Sequence, residues 1–207
     1  LPENPALRKV YTNVNAAAVL SDASNALVET NVLVTDALLG TATPAERVNL
    51  LKWARGVDVD DADEDGSTTD GRHVMGDPLH AKPTLVTYGG TDANPDITMY
   101  AMTNDGYLHA IDITDGKETF AFVPKQLLPK LKTVYENVGG AGITHNYGLD
   151  GGIEVWSKDH NGNGQIETPD ANGNNDHVYL YFGQRRGGRN YFALDVTDRA
   201  NPAVLWT

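Results

Sequence analysis

The sequence predicts a mainly β chain that forms part of a modified β-propeller, with short inserted helices and calcium-binding loops. From residue 84 onward, short segments rich in β-branched and aromatic residues alternate with tight glycine-containing turns. In addition, Ala110–Asp115, which reads AIDITD, recurs 83 residues later as Ala193–Asp198, which reads ALDVTD. Each copy follows a glycine turn and an aromatic residue, and a four-stranded unit repeated in this way is typical of propeller blades.

The composition indicates a globular protein and excludes several classes of function. The chain has 207 residues, of which 40% are hydrophobic and 21% charged, so it is long enough to bury a core. Its net charge of −12 argues against nucleic-acid or anionic-membrane partners, because Lys and Arg hold those. Cysteine is absent, which excludes disulfides and thiolate chemistry, and no apolar run approaches the roughly 20 residues that span a bilayer.

We divide the chain into an N-terminal connecting segment, residues 1–43, and the first blades of a propeller domain, residues 44–207. The connecting segment contains two β-prone pieces, Lys9–Thr12 and Ala26–Thr30, and no chemical motif. A propeller needs at least four blades, and about two fit here. We therefore expect a fragment of a longer protein, whose missing blades would cover the exposed sheet edges.

Local signals place the individual elements. Thr43 as N-cap, Pro44 at the first helical position and Glu46 form a capping box, so a packing helix is predicted to run to about Arg55 and stop at Gly56. A second helix is predicted after Pro124. This second helix is expected to run from Lys125 to roughly Asn137, with Gly139–Gly140 after its end. The predicted strands are Thr84–Tyr88, Ile97–Thr103, Tyr107–Asp112, Glu118–Val123, Gly152–Trp156, His177–Gly183 and Asn190–Val196.

The stretch from residue 159 to 170, DHNGNGQIETPD, has the pattern of a calcium-binding loop. Its oxygen-bearing residues fall at the ligand positions 1, 3, 5, 7, 9 and 12 of such loops, and Gly164 occupies the sharp turn at position 6. The predicted ligands are Asp159, Asn161, Asn163, the Gln165 carbonyl, Glu167 and Asp170. Six or seven flexible oxygen ligands favour Ca²⁺ over Mg²⁺, and zinc would require His or Cys.

Two ways of closing this loop remain open. An EF-hand closes with a bidentate Glu at position 12, where this chain has the shorter Asp170, so the loop closes either there or at Glu167 in a compact nine-residue form. The flanking segments have strand character, which predicts a loop that bridges two strands. His160 falls at a position without a ligand role and is expected to point outward. A solvated hairpin loop is the alternative interpretation.

A second acidic stretch places Asp61, Asp63 and Asp65 at positions 1, 3 and 5 of another calcium-type loop, with Gly66 at position 6. Position 12 would be Arg72, which cannot be a ligand. Like charges at this density repel one another, so the alternatives are a second cation site and an acidic linker without an ion.

Four segments resemble known families. Asp105–Asp112 with the following TxGKE turn resembles the repeat of quinoprotein-type (PQQ-like) propellers. More narrowly, Trp53–Asp60, Gly76–Pro83 and Phe182–Asp198 resemble the C-terminal domain of the PilY/PilC pilus-tip proteins, and this resemblance extends from about residue 44 to the end.

The resemblance implies a modified β-propeller at the tip of type IV pili on the bacterial cell surface. It implies a role in pilus biogenesis and retraction control, adhesion to a surface or host-cell receptor, pilins or minor pilins as partners, and a regulatory calcium site. The family's compact calcium motif maps onto Asp159, Asn161, Asn163, Gln165 and Glu167, with Glu167 where the family has Asp.

We therefore predict a calcium-binding pilus-tip protein without enzymatic activity, since no nucleophile–base pair or supported carboxylate pair is present in the sequence. One alternative is a PQQ-dependent dehydrogenase, but its cofactor site would draw ligands from several blades. Another is a purely structural calcium-stabilised propeller. His80 and the Arg185, Arg186, Arg189 cluster could contact a partner, although locally satisfied turn residues are the simpler interpretation.

Overall fold

The computed structural model describes residues 4–72, 74–138 and 145–207, and these residues form two mainly antiparallel sheets with short helices. Gly139–Gly140 lie outside the described residues. The strands are β1 (Val10–Tyr11), β2 (Thr84–Thr91), β3 (Asn94–Met102), β4 (Leu108–Asp112), β5 (Glu118–Phe122), β6 (Ile153–Lys158), β7 (His177–Gly183), β8 (Tyr191–Asp195) and β9 (Ala203–Trp206). The helices are α1 (Asp36–Leu39), α2 (Pro44–Ala54) and α3 (Leu128–Glu136).

The first sheet has the strand order β1-β5-β4-β3-β2 and the second β6-β7-β8-β9. The prediction of a mainly β chain is therefore confirmed, and each predicted strand after residue 84 overlaps an observed one. The strands β2 and β3 reach three residues further into their connection than predicted, because they continue to pair through Gly89 and Gly90 after a register shift at Thr87. No helix in the described part of the chain is long and apolar enough to cross a membrane.

The sequence repeat corresponds to the third strand of each sheet. The side chains of Asp112 and Asp195 each accept a hydrogen bond from the backbone amide two residues later, at 2.8 and 2.9 Å. The register to the fourth strand shifts after Ala110 in the first sheet and after Ala193 in the second, which are matching positions of the repeat. The two copies therefore share the aspartate hydrogen bond at the end of the third strand and the register shift towards the fourth strand.

The N-terminal segment does more than connect. Strand β1 pairs in parallel with β5, so that Val10 lies beside Ala121, and it becomes the fifth strand of the first sheet. The prediction of a β-prone piece at Ala26–Thr30 is wrong apart from a single bridge between Ala26 and Tyr11. The chain turns away there because Asn31 donates to the carbonyls of Ser24 and Ala26.

Helix α2 begins as the capping signal predicts. The Thr43 hydroxyl accepts from the Glu46 amide at 3.2 Å, and the Glu46 carboxylate accepts from the Ala42 amide at 2.7 Å, one residue earlier than in a standard capping box. Gly56, with φ of +93°, follows its end. The buried face of α2 consists of Leu50, Leu51, Trp53 and Ala54.

The two sheets pack face to face through one hydrophobic core. The second sheet contributes Val178, Leu180 and Phe182 from β7, all nearly inaccessible to solvent. From the first sheet, the Tyr88 hydroxyl donates to the Val196 carbonyl at 2.9 Å. Strands β2 and β6 also meet, since the Thr84 hydroxyl of β2 donates to the Ile153 carbonyl of β6 at 3.3 Å.

Candidate metal centre

The loop between β6 and β7 carries the predicted calcium ligands and is organised around Asp159. One oxygen of the Asp159 carboxylate accepts from the Gly162 amide and the other from the Gly164 amide, both at 2.7 Å. Both glycines have positive φ, of +71° and +78°, a conformation that glycine adopts without steric cost. The loop therefore curls around its first residue, as the prediction for Gly164 requires.

The next ligand positions converge on Glu167. The Asn161 side-chain oxygen accepts from the Asn163 amide at 3.0 Å, and the Asn163 side-chain oxygen accepts from the Gln165 amide at 2.8 Å. Both side-chain amide groups donate to the same Glu167 oxygen, Oε2, at 3.1 and 2.9 Å. Positions 1, 3, 5 and 9 thus supply a compact set of carboxylate and amide groups, the donor chemistry that suits Ca²⁺.

One of the predicted ligands, Asp170, is directed elsewhere. Asp170 Oδ1 accepts from the amides of Asn172 and Asn174, both at 2.8 Å, so this side chain organises the following turn. The Gln165 side chain faces the first sheet, and only its backbone carbonyl is left to serve position 7. Of the two closures considered from the sequence, the geometry favours the compact one, which ends at Glu167.

A buried carboxylate that was not predicted from the sequence, that of Asp176, holds the loop through two of its backbone amides. Asp176 is fully buried and accepts hydrogen bonds from the amides of His160 at 2.8 Å and Glu167 at 2.9 Å. These bonds lower the pKa of Asp176. His160 is exposed, as expected, and its Nδ1 also lies 3.1 Å from Asp176 Oδ1. The only sequence signal for this role is an Asp placed directly before a strand.

The second acidic stretch also brings its side chains together. Asp61, Asp63 and Asp65 each offer an oxygen, and these oxygens lie within 4.8 Å of one another, the only group of this kind found among the described residues. The Gly66 amide donates to Asp61 at 3.0 Å, and Gly66 has φ of +87°. Arg72 takes no part, since its guanidinium lies 4.2 Å from the centre of the Trp53 ring.

Comparisons with known proteins agree with the resemblance seen in the sequence. No protein-family model matches the chain. It is 33% identical over 132 residues to the type IV pilus biogenesis factor PilY1 of Pseudomonas aeruginosa strain PAO1. The aligned region covers 64% of this chain and 10% of that protein. It is 30% identical over 162 residues to the PilY1 homolog of Xylella fastidiosa, covering 64% of this chain and 11% of that protein. The chain is homologous to PilY1.

A solved structure, the C-terminal domain of P. aeruginosa PilY1, matches with 36% identity over 54% of this chain and 18% of that chain. The TM-score of this match is 0.32. The chain spans about a tenth of the length of the PilY1 relatives it matches. The resemblance to the PilY/PilC C-terminal domain is thus confirmed at the level of homology.

Two of the segments that resemble PilY1 meet at one end of the sheets. His80 lies in the segment before β2, and its Nδ1 is 2.8 Å from Oδ1 of the fully buried Asp150. Arg185, which follows β7, lies 3.8 Å from the other oxygen of Asp150, and the neighbouring Arg186 donates to the Tyr147 hydroxyl at 3.0 Å. These contacts favour the local, structural interpretation of His80.

Proposed function

We propose that this chain is a calcium-binding part of a pilus-tip protein that acts in type IV pilus biogenesis at the bacterial cell surface. Homology to PilY1, which is named as a biogenesis factor, supports the link to the pilus. The observation that carries the calcium assignment is the convergence of Asp159, Asn161, Asn163 and Glu167 in one loop. On this proposal the partners are pilins or minor pilins, and the whole protein takes part in retraction control and adhesion.

The ion would be held by the Asp159 and Glu167 carboxylates, the Asn161 and Asn163 amide oxygens, and the Gln165 backbone carbonyl. Bound Ca²⁺ supplies two positive charges that offset the acidic side chains and fix the shape of the loop. Asp176 accepts from the amides of His160 and Glu167, near the two ends of the ligand stretch, and so would position the ligands from outside the ion's own shell. Asp170 remains a candidate only if the following turn opens.

Calcium titration by calorimetry tests this assignment. The wild-type chain is expected to bind calcium with measurable heat, and Asp159→Ala to lose the binding at this loop. Asp115→Ala is the matched control, because Asp115 is an exposed turn aspartate outside both loops. Absence of heat in the wild type would refute calcium binding. In cells, normal pilus-dependent motility and adhesion after Asp159→Ala would leave the ion only a structural role.

The Asp61, Asp63 and Asp65 loop is the second candidate calcium site. The proximity of its three carboxylates favours an ion that relieves their mutual repulsion. Asp63→Ala should remove one class of binding event from the titration and leave the Asp159 class intact. Heat that survives Asp159→Ala and disappears with Asp63→Ala would assign the remaining binding to this second loop.

We also propose that the two sheets are neighbouring blades of a modified, PQQ-like propeller. In the first sheet, Tyr100 and Phe120 flank Ala110 on the face that packs against the second sheet. The matching positions beside Ala193 in the second sheet are Tyr181 and Trp206. Trp206 is 50% exposed, and its ring centre lies 6.2 Å from that of Tyr181, so the two rings form an exposed aromatic patch. A further blade in the longer protein would cover this aromatic face as the second sheet covers Tyr100.

The alternative of a quinoprotein dehydrogenase finds less support. Its cofactor site would require ligands from several blades, whereas the loop that supplies the candidate calcium ligands here is contiguous. The PilY1 relatives are named as biogenesis factors. Alcohol oxidation by the chain in the presence of calcium and added quinone would revive the dehydrogenase hypothesis, and we expect none.

A further inference from the structure

The candidate calcium loop also contacts the first sheet, through its seventh and eighth residues. The Gln165 side chain donates from Nε2 to the Gly90 carbonyl and accepts at Oε1 from the Gly90 amide, both at 3.2 Å. The Ile166 amide donates to the Tyr88 carbonyl at 2.9 Å. Gln165 and Ile166 therefore join the candidate calcium loop to β2, Gln165 through its side chain and Ile166 through its backbone amide.

The hairpin between β2 and β3 is shaped to receive this side chain. Gly89 and Gly90 have φ of +150° and +87°, and the pairing of β2 with β3 shifts register just before them. A Cβ atom at Gly89 would overlap the Gln165 carboxamide. The two glycines thus provide both the conformation and the space that let a side chain from the second sheet's loop reach the backbone of the first.

Contacts continue from Tyr88 into the space between the sheets. The Tyr88 hydroxyl lies 2.8 Å from that of Tyr100, and Arg199 lies 4.2 Å from the centre of the Tyr88 ring. Tyr88, Ile166 and Arg199 line a cleft of about 550 Å³ between the two sheets. A change in the loop at Gln165 and Ile166 therefore reaches the wall of this cleft directly.

We propose that the calcium loop is a clasp between the two sheets, in which Gln165 couples ion binding to the β2–β3 hairpin and to the inter-sheet cleft. This inference rests on the proposed calcium site and adds a route by which calcium binding affects the β2–β3 hairpin and the cleft. When the Gln165 carbonyl is held by the ion, its side chain is fixed against Gly90, and the hairpin and cleft wall become more rigid. Gln165 acts here as a positioning residue, separate from its backbone ligand role.

Hydrogen exchange of the full chain, with calcium or with a chelator, tests the coupling. In the wild type, calcium should slow amide exchange about tenfold at residues 88–91, since two hydrogen bonds to Gly90 become persistent. Gln165→Ala keeps the backbone carbonyl, and slower exchange within residues 159–167 in the presence of calcium reports whether the loop of this variant binds the ion. The variant should lose the effect at residues 88–91. Gln126→Ala, an exposed glutamine outside both sheets, is the matched control.

The outcomes separate the two proposals. Calcium heat in the wild type without slower exchange at residues 88–91 would overturn the coupling and leave the calcium site standing. Full calcium-dependent slowing at residues 88–91 in Gln165→Ala would also overturn the role of that side chain. Absence of calcium heat in the wild type would overturn the calcium site and the coupling together.

Discussion

Replacing Glu118 by Gln perturbs the buried ionic cluster that joins the N-terminal segment to the first sheet. Glu118 accepts hydrogen bonds from Arg8 at 2.6 and 3.0 Å and lies 2.6 Å from His109 Nδ1. The three side chains are at most 6% exposed. Burial opposes ionisation of Glu118, but the hydrogen bonds from His109 and Arg8 and the charge of Arg8 outweigh it and lower its pKa to about 2.

The magnitude follows from this pKa. The ordinary value is 4.5, so a folded-state value near 2 corresponds to about 3 kcal/mol of stability at neutral pH. Because the folded-state pKa is the lower one, this stability is present above about pH 4.5 and is lost as the pH falls towards 2. Removing one partner of a buried ion pair generally costs about 3–5 kcal/mol, which agrees in size.

Urea unfolding followed by circular dichroism measures the effect. At pH 7, Glu118→Gln is expected to be about 3 kcal/mol less stable than the wild type, and this difference should shrink as the pH falls from 5 to 3. Glu136→Gln is the control, because Glu136 is exposed and its ion pair with Lys132 is long, at 3.7 Å. A Glu118→Gln chain as stable as the wild type at pH 7, or a difference that stays constant down to pH 3, would refute the reasoning.

Two further substitutions test the helix cap and the support of the calcium loop. Thr43→Ala removes the hydroxyl that accepts from the Glu46 amide and should lower the free energy of unfolding by about 1 kcal/mol, measured by urea unfolding; an unchanged midpoint would contradict this. Asp176→Asn replaces one of two oxygens that hold the His160 and Glu167 amides. It should weaken calcium binding at least about tenfold in calorimetry, and unaltered affinity would show that Asp176 does not position the ligands.

The sequence predicts best those features whose determinants lie close together along the chain. The strands after residue 84 follow from local alternation and turns, and the residues from Asp159 to Glu167 form a contiguous pattern. Asp176 escaped prediction because it lies outside that pattern, nine residues after Glu167. The contact of Gln165 with Gly90 and that of Arg8 with Glu118 join residues 75 and 110 positions apart, and periodicity carries no information about such pairings.

Long separation also affects strand β1, which pairs in parallel with β5. Val10 lies beside Ala121, so β1 waits for a partner that is synthesised 111 residues later. Closing so long a loop is slow, and until it closes β5 presents an unpaired edge to neighbouring chains. The interval during synthesis between the completion of β5 and the arrival of β1 is therefore when this sheet is most exposed to misassembly, and early capture of residues 8–12 would shorten it.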